Sequence, residues 1–185
     1  YSVTGVQTCA LPIFPLIPNG IYDFKVFWGD GTSSHVSSFG DSGAQHTYDR
    51  VGPYKIIIRG KIEGICFGTL SSGYSNTDQY TALQITEIRA WGNLKLGNEG
   101  SYFSGCQNLV ITAHDKLDLS GTDNFYSFFK NGGKLEYPGI AQWDTSRVTD
   151  MSYMFYWAEN FDEDISAWDT GNVRNMAFMF CYAES

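Results

Sequence analysis

The sequence predicts two modules, a small antiparallel β-sandwich followed by a repeat solenoid of about four coils. Alternating apolar residues before an Asp-Gly turn predict the sandwich, and apolar columns that return every 25–26 residues predict the solenoid. Charged residues make up only 17% of the chain, against about 25% in an average soluble domain. Together with 20 glycines, this composition indicates many turns and short elements.

The composition also limits the classes of function. Hydrophobic residues account for 43% and aromatic residues for 16%, enough for a packed core. The net charge of −8 and the absence of a Lys/Arg cluster argue against nucleic-acid binding. No run approaches the roughly 18–20 apolar residues of a membrane helix, so no transmembrane segment is expected. Apart from Cys9, the cysteines Cys66, Cys106 and Cys181 show no zinc-ligand spacing and are predicted to be buried free thiols.

The first residues are interpreted as an artefact. The string VTGVQTCALPI, from Val3 to Ile13, resembles the translation of a common sequencing-adapter oligonucleotide. Residues 1–13 are therefore left out of the fold prediction. The chain stops inside a repeat, so we expect a metagenomic fragment that is truncated at its C-terminus.

The first module is predicted over residues 14–62. Polar side chains alternate with a buried face of one strand, Asp30-Gly31 suits a type I′ hairpin turn, and residues 54–59 form a second strand. The buried face consists of Tyr22, Phe24, Val26 and Trp28.

Three motifs in this module resemble the PKD-type immunoglobulin-like domain. They are FWGDGT from Phe27, HTY from His46 and GPYKI from Gly52, in the order typical of that family. The resemblance implies a spacer or adhesion module of an extracellular protein. The family's first strand would fall in or before the adapter-like segment, which would leave an exposed sheet edge.

Three features of this module resemble functional sites but are interpreted as structural. Gly40-Asp41-Ser42-Gly43 resembles a serine-protease motif, but a module of this size cannot supply the rest of a triad. Asp30, Asp41 and Asp49 are interpreted as turn and loop carboxylates in preference to calcium ligands. His46 is interpreted as a structural hydrogen-bonding residue.

Aromatic and methionine residues recur at a fixed spacing after a connector at residues 63–84. Trp168 follows Trp143 by 25 residues, and Leu117 and Trp91 continue the column upstream at intervals of 26. Because one such unit buries little by itself, its core has to come from its neighbours. The predicted repeat core consists of Trp91, Phe103, Phe129, Trp143, Met151, Met154, Phe155, Trp168, Met176, Met179 and Phe180.

Within one repeat, apolar residues recur at intervals of three or four. Val148, Met151, Phe155 and Ala158 follow this spacing, which predicts one face of a short helical turn. The segments that begin at Trp143 and Trp168 carry a W-D-x-S-x-V-x-x-M-x-x-M-F pattern, with glycine replacing serine in the second.

This pattern closely resembles the repeats of the BspA-like leucine-rich-repeat surface proteins, including the lipoprotein-associated variety. The resemblance covers residues 85–185 and implies a bacterial adhesin, extracellular or on the cell surface. It implies binding of an extracellular protein or glycan and no enzymatic activity.

Aromatic residues outside the apolar columns are the predicted partner-binding residues: Tyr153, Tyr156, Trp157 and Tyr182. Packing between neighbouring coils is an equally good interpretation of these residues. The acidic run Asp162-Glu163-Asp164 is interpreted as a solvated loop. No catalytic residue, cofactor or metal is predicted. A virion receptor-binding or structural protein and a non-catalytic carbohydrate-binding segment of a larger secreted hydrolase remain alternatives.

Overall fold

The computed structural model describes residues 2–6, 13–69, 79–133 and 136–184. Most of the adapter-like segment, including Cys9, lies outside them, as do residues 70–78 of the predicted connector. One short α-helix, α1, spans Gln79–Gln84, and two 3-10 helices span Ser42–Ala44 and Pro138–Gln142. The strands are β1 (Ser2–Val6), β2 (Leu16–Phe27), β3 (Ser33–Val36), β4 (Lys55–Ile65), β5 (Ile85–Ala90), β6 (Leu94–Lys95) and β7 (Val110–Ile111).

The strands form one mixed, seven-stranded sheet with the order β3-β2-β4-β1-β5-β7, and β6 pairs with β4. Neighbours are antiparallel except for the parallel pairs β4–β6 and β5–β7. The sheet therefore combines strands from both predicted modules. The prediction of a β-sandwich followed by a leucine-rich-repeat-type solenoid of four coils is wrong, because the protein is a small, mostly-β, mixed-sheet domain and its sheet is not built from stacked coils.

The hairpin of β2 and β3 follows from local sequence. Phe24 pairs with Val36 and Phe27 with Ser33, so the pairing runs along the whole of β3. The predicted buried face of β2 is buried, with Tyr22 5% and Val26 0% exposed. The positive φ angles of the turn fall on Gly29 and Gly31. The predicted type I′ geometry, which needs a positive φ at Asp30 as well, is not formed.

Strand β1 lies between β4 and β5. Val3 pairs with Ile56 of β4 and with Ile88 of β5, antiparallel on both sides. The adapter-like segment thus supplies a strand in the interior of the sheet. The sheet edge expected from loss of the first strand is occupied in this structure.

The repeated segments after β7 run side by side through turns. Asn124 bridges to Asp150, and Asp150 to Asn175, in the parallel sense. The predicted short helical turn is wrong, because Tyr153 and Trp157 have left-handed backbone conformations, with φ of 56° and 58°. A left-handed residue cannot continue a right-handed helical turn. The N–H groups of Tyr153 and Trp157 donate to the carbonyls of Ala177 and Cys181 in the next segment.

Phenylalanine rings from successive segments stack in a row. The ring centroids of Phe103 and Phe129 are 5.9 Å apart, those of Phe129 and Phe155 6.1 Å, and those of Phe155 and Phe180 5.4 Å. This aromatic row belongs to a hydrophobic cluster that continues into the sheet. The repeated segments and the sheet consequently share one main core.

Two residues of the predicted repeat core are not buried. Met176 is 45% and Phe180 47% exposed, because no segment of the described chain lies over them. The other predicted core residues are buried: Trp91, Phe103, Phe129, Trp143, Met151, Met154, Phe155, Trp168 and Met179.

The HTY motif holds the β2–β3 turn in place. The His46 ring stacks on Trp28, and its Nε2 lies 2.6 Å from Asp30 Oδ2. Tyr48 donates a hydrogen bond to the carbonyl of Trp28. Burial works to raise the pKa of Asp30, but hydrogen bonds from Thr32 and His46 outweigh it and lower the pKa to about 2.

This carboxylate predicts acid sensitivity. A group with a lowered pKa in the folded state stabilises the fold above its ordinary pKa, and that stability is lost as pH falls towards the folded value. The free energy of unfolding of the wild-type protein, measured by urea titration, should therefore fall as the pH is lowered from about 4 to about 2. Asp30→Asn should be less stable at pH 5 and should show less pH dependence in that window. An unchanged pH dependence in the variant would show that Asp30 plays no part.

Candidate binding surface

Exposed aromatic residues of the last two repeated segments meet on one surface, with a lysine beside them. Trp157 is 46% exposed although the next segment packs beside it. Phe178, at 56%, and Tyr182, at 55%, lie on the last described segment, which no other described segment covers. The remaining members are partly buried. We call this surface the aromatic patch; it consists of Tyr126, Lys130, Tyr153, Tyr156, Trp157, Phe178 and Tyr182.

The rings of the patch contact one another across the segments. Tyr153 stacks on Phe178 with 5.0 Å between ring centroids and meets Tyr156 at 5.5 Å. Tyr182 lies 5.2 Å from Trp157 and 5.7 Å from Tyr156, the latter edge to face. All the predicted partner-binding residues therefore lie on the same surface. The sides of the rings that face solvent are available for a partner.

Lys130 supplies the positive charge of the aromatic patch. Its Nζ lies 5.4 Å from the centroid of Tyr153 and 5.3 Å from that of Tyr156, within the range of cation–π attraction. None of the ion pairs found in the described residues includes Lys130. The ammonium group is thus held by ring faces and can accept an anionic partner.

Left-handed backbone angles recur at equivalent turns of the repeated segments. The earlier segments carry serine, glycine or asparagine there, whereas the later ones carry aromatic residues. Asparagine and glycine tolerate this conformation, but a bulky side chain in it is an outlier. The earlier positions are Ser101, Gly105, Ser127 and Asn131, and the later ones are Tyr153, Trp157, Phe178 and Tyr182.

The backbone contacts of these turns do not depend on the aromatic side chains. Ser127 N–H donates to the carbonyl of Ser152, and Tyr153 N–H donates in the same way to that of Ala177. The same turn therefore forms with a small residue or with a large ring. Non-glycine residues held in left-handed conformations cluster at functional sites in many proteins.

The tyrosines divide into two groups by their hydroxyl contacts. Buried tyrosines use them: Tyr22 donates to the Gly64 carbonyl, Tyr48 to that of Trp28, and Tyr102 contacts the Gly97 carbonyl. For the tyrosines of the patch, no hydrogen bond from the hydroxyl to another described residue is found. These hydroxyls are therefore free to contact a partner.

Other predicted polar features have structural roles. Glu163 of the acidic run accepts a hydrogen bond from Tyr137 N–H, and Asp164 accepts one from Ser166 N–H. Asp41 caps the turn at Gly43, and hydrogen bonds from Gly43 and Ser37 lower the pKa of Asp41. Within the described ranges, no three His, Cys, Asp or Glu side chains are close enough to hold a metal ion.

The cysteines that the structure describes are free thiols. Cys66 and Cys106 are buried, and Cys181 is partly exposed. Burial raises the pKa of Cys66 to about 12 and that of Cys106 well above its usual value. The buried pair is therefore protonated and unreactive at neutral pH.

A cavity of about 200 Å³ lies beside Tyr137 and Trp143. The carboxylate of Asp115, which lines it, accepts hydrogen bonds from the N–H groups of Trp91 and Gly92. Those bonds fix the loop and engage the carboxylate. The aromatic patch is therefore the stronger candidate for a functional site.

Sequence reasoning missed three members of the patch. Phe178 lies 25 residues after Tyr153, so the repeat register itself indicates that the two are equivalent. Lys130 likewise precedes Tyr156 by 26 residues. Tyr126 stands one position before Ser127, the residue equivalent to Tyr153. The repeat register therefore does not align Tyr126 with another aromatic residue of the patch. The place of Tyr126 is known only from the contact with Tyr153, at 5.9 Å between ring centroids.

One known family matches residues 80–185 of the chain. The match covers more than half of the chain and includes all of the repeated segments. No curated protein and no solved structure matches the chain. Among the described residues, no helix has the length and apolar character needed to span a bilayer. The family match is compatible with a surface-associated repeat protein. The chain belongs to the family described as "Mycoplasma protein of unknown function, DUF285".

Proposed function

We propose that the protein is a non-enzymatic adhesion module of an extracellular or cell-surface protein, and that it binds a protein or glycan partner through the aromatic patch. The resemblance of the repeats to those of BspA-like surface proteins, and of the FWGDGT, HTY and GPYKI motifs to those of PKD-type domains, supports this location. The family match is compatible with it.

The left-handed aromatic residues carry the proposal. Equivalent turns form with serine, glycine or asparagine, so Tyr153, Trp157, Phe178 and Tyr182 are not needed to make the turn. Exposed tyrosine and tryptophan are also the residues most enriched at binding hot spots. Selection for binding explains large rings at positions that disfavour them.

Trp157→Asn separates binding from folding. The variant copies Asn131, which occupies the equivalent turn with φ of 55°. Relief of left-handed strain and loss of ring contacts are each worth about 1 kcal/mol and oppose one another. We expect the free energy of unfolding to stay within about 1 kcal/mol of wild type, measured by urea titration.

Binding should respond differently. On mucin-coated and gelatin-coated surfaces, followed by biolayer interferometry, Trp157→Asn should weaken the affinity of the wild-type protein by about tenfold or more. Val51→Asn replaces an exposed apolar residue (64% exposed) in the loop before β4, outside the patch. It serves as the matched control and should bind like wild type. Equal binding by Trp157→Asn and wild type would refute the proposal.

A further inference from the structure

We infer that the aromatic patch recognises a saccharide chain that carries carboxylate groups. This inference rests on the proposed function and narrows its partner from a protein or glycan to an acidic glycan. Three features of the patch support it: open ring faces, free hydroxyl groups and an isolated ammonium group.

The ring faces suit the apolar faces of sugar rings. An aromatic face carries the negative side of the ring quadrupole and attracts polarised C–H groups. Trp157, Phe178 and Tyr182 expose about half of their surface. Trp157 and Tyr182 lie side by side on two successive repeated segments, with 5.2 Å between their ring centroids. An extended ligand can therefore lie across the patch and contact several rings in succession.

The hydroxyl groups suit a ligand rich in hydroxyls. A phenol both donates and accepts hydrogen bonds. Tyr126, Tyr153, Tyr156 and Tyr182 have no hydroxyl partner among the described residues, unlike the buried tyrosines Tyr22 and Tyr48. A purely apolar partner would leave these phenols without partners after removing them from water, which is unfavourable. A sugar chain offers partners to each of them.

Lys130 selects for an acidic sugar. Its ammonium group lies over the rings of Tyr153 and Tyr156 and lacks an ion pair in the described chain, so it can contact a carboxylate beside a stacked sugar. Lysine is depleted at protein–protein interfaces, which favours a glycan over a protein. The net charge of −8 disfavours a dense polyanion, so sparsely spaced carboxylates fit best.

The test pairs each acidic saccharide with its neutral methyl ester. Oligosaccharides ending in a single glucuronic acid and oligosaccharides ending in a single N-acetylneuraminic acid are immobilised beside their esters and a gelatin surface. For at least one pair, wild-type protein should bind the acid about threefold more tightly than the ester. The preference should weaken as salt is raised.

Three variants assign the contributions of the ring, the ammonium group and a hydroxyl group. Trp157→Asn should weaken binding of both acid and ester by about tenfold. Lys130→Gln should bind the ester like wild type and lose the preference for the acid. Tyr126→Phe should weaken both forms if its hydroxyl contacts the sugar.

The outcomes distinguish this inference from the proposed function. Binding of gelatin that depends on Trp157, with no such binding of any saccharide, would overturn the glycan inference and leave the proposed function standing. Equal affinity for acid and ester in every pair would overturn the role of the carboxylate. Saccharide binding that Trp157→Asn does not change would overturn both.

Discussion

Phe129→Ala is expected to destabilise the protein by about 3–5 kcal/mol, the usual consequence of deleting a buried aromatic side chain. Phe129 is 1% exposed and lies in the middle of the aromatic row. Its ring contacts Phe103, Phe155 and Trp143 at 5.9, 6.1 and 5.9 Å between centroids. Truncation leaves a cavity between segments that the row otherwise holds together, and urea or thermal unfolding measures the loss.

Phe180→Ala is the matched control, because it removes the same side chain at the exposed end of the same row. Phe180 is 47% exposed and keeps only one face against Phe155. Its loss should therefore be about 1 kcal/mol, the typical effect of a point mutation. Equal destabilisation of the two variants would mean that packing on both faces of Phe129 adds no stability beyond the contact of an exposed ring. That result would contradict the described packing of the row.

Tyr137→Phe is expected to cost about 2–5 kcal/mol, although it removes a single oxygen atom. The indole N–H of Trp91 donates to the Tyr137 hydroxyl at 3.0 Å, and that of Trp143 donates at 3.3 Å. All three side chains are buried, so removing the acceptor leaves two buried donors unsatisfied, at about 1–3 kcal/mol each. Chemical denaturation followed by circular dichroism measures the effect.

Tyr126→Phe provides the comparison, since the Tyr126 hydroxyl contacts no described residue. Its stability should stay within about 0.5 kcal/mol of wild type. A small effect of Tyr137→Phe, similar to that of Tyr126→Phe, would mean that the two indoles find other acceptors. The described hydrogen bonds would then be wrong.

Sequence reasoning succeeded where the controlling interactions are local. The alternation of Tyr22, Phe24 and Val26 and the dipeptide Asp30-Gly31 predicted the β2–β3 hairpin, although not its turn type, because side-chain period and turn residues are properties of neighbouring residues. The repeat spacing of 25–26 residues predicted which phenylalanines occupy equivalent positions in successive segments, and these residues form the aromatic row.

Sequence reasoning failed to predict which distant segments pair with one another in the sheet. The pairing of β4 with β6 and of β1 with β5 joins residues far apart in the chain, and no periodicity in either segment specifies the other. The two-module architecture was wrong for this reason. A hydrophobic period shows that a face is buried without showing which strand covers it.

The backbone of the repeats was also misread. Intervals of three and four among Val148, Met151 and Phe155 are typical of a helix, but the left-handed residues Tyr153 and Trp157 interrupt it here. Aromatic residues seldom adopt this conformation, so Tyr153 gave no warning of it. Alignment with Ser127 and Asn131, which tolerate it, could have indicated the turn.

The most direct test of the binding surface is the solvent accessibility of Trp157. Of the five tryptophans, Trp28, Trp91, Trp143 and Trp168 are at most 8% exposed, whereas Trp157 is 46% exposed. Acrylamide should therefore quench mainly Trp157 in the free protein, and Trp157→Phe should remove that quenchable fraction. Addition of soluble mucin should protect Trp157 from acrylamide if the aromatic patch binds it. Mucin binding that leaves the quenching of Trp157 unchanged would place the binding site elsewhere and contradict the account.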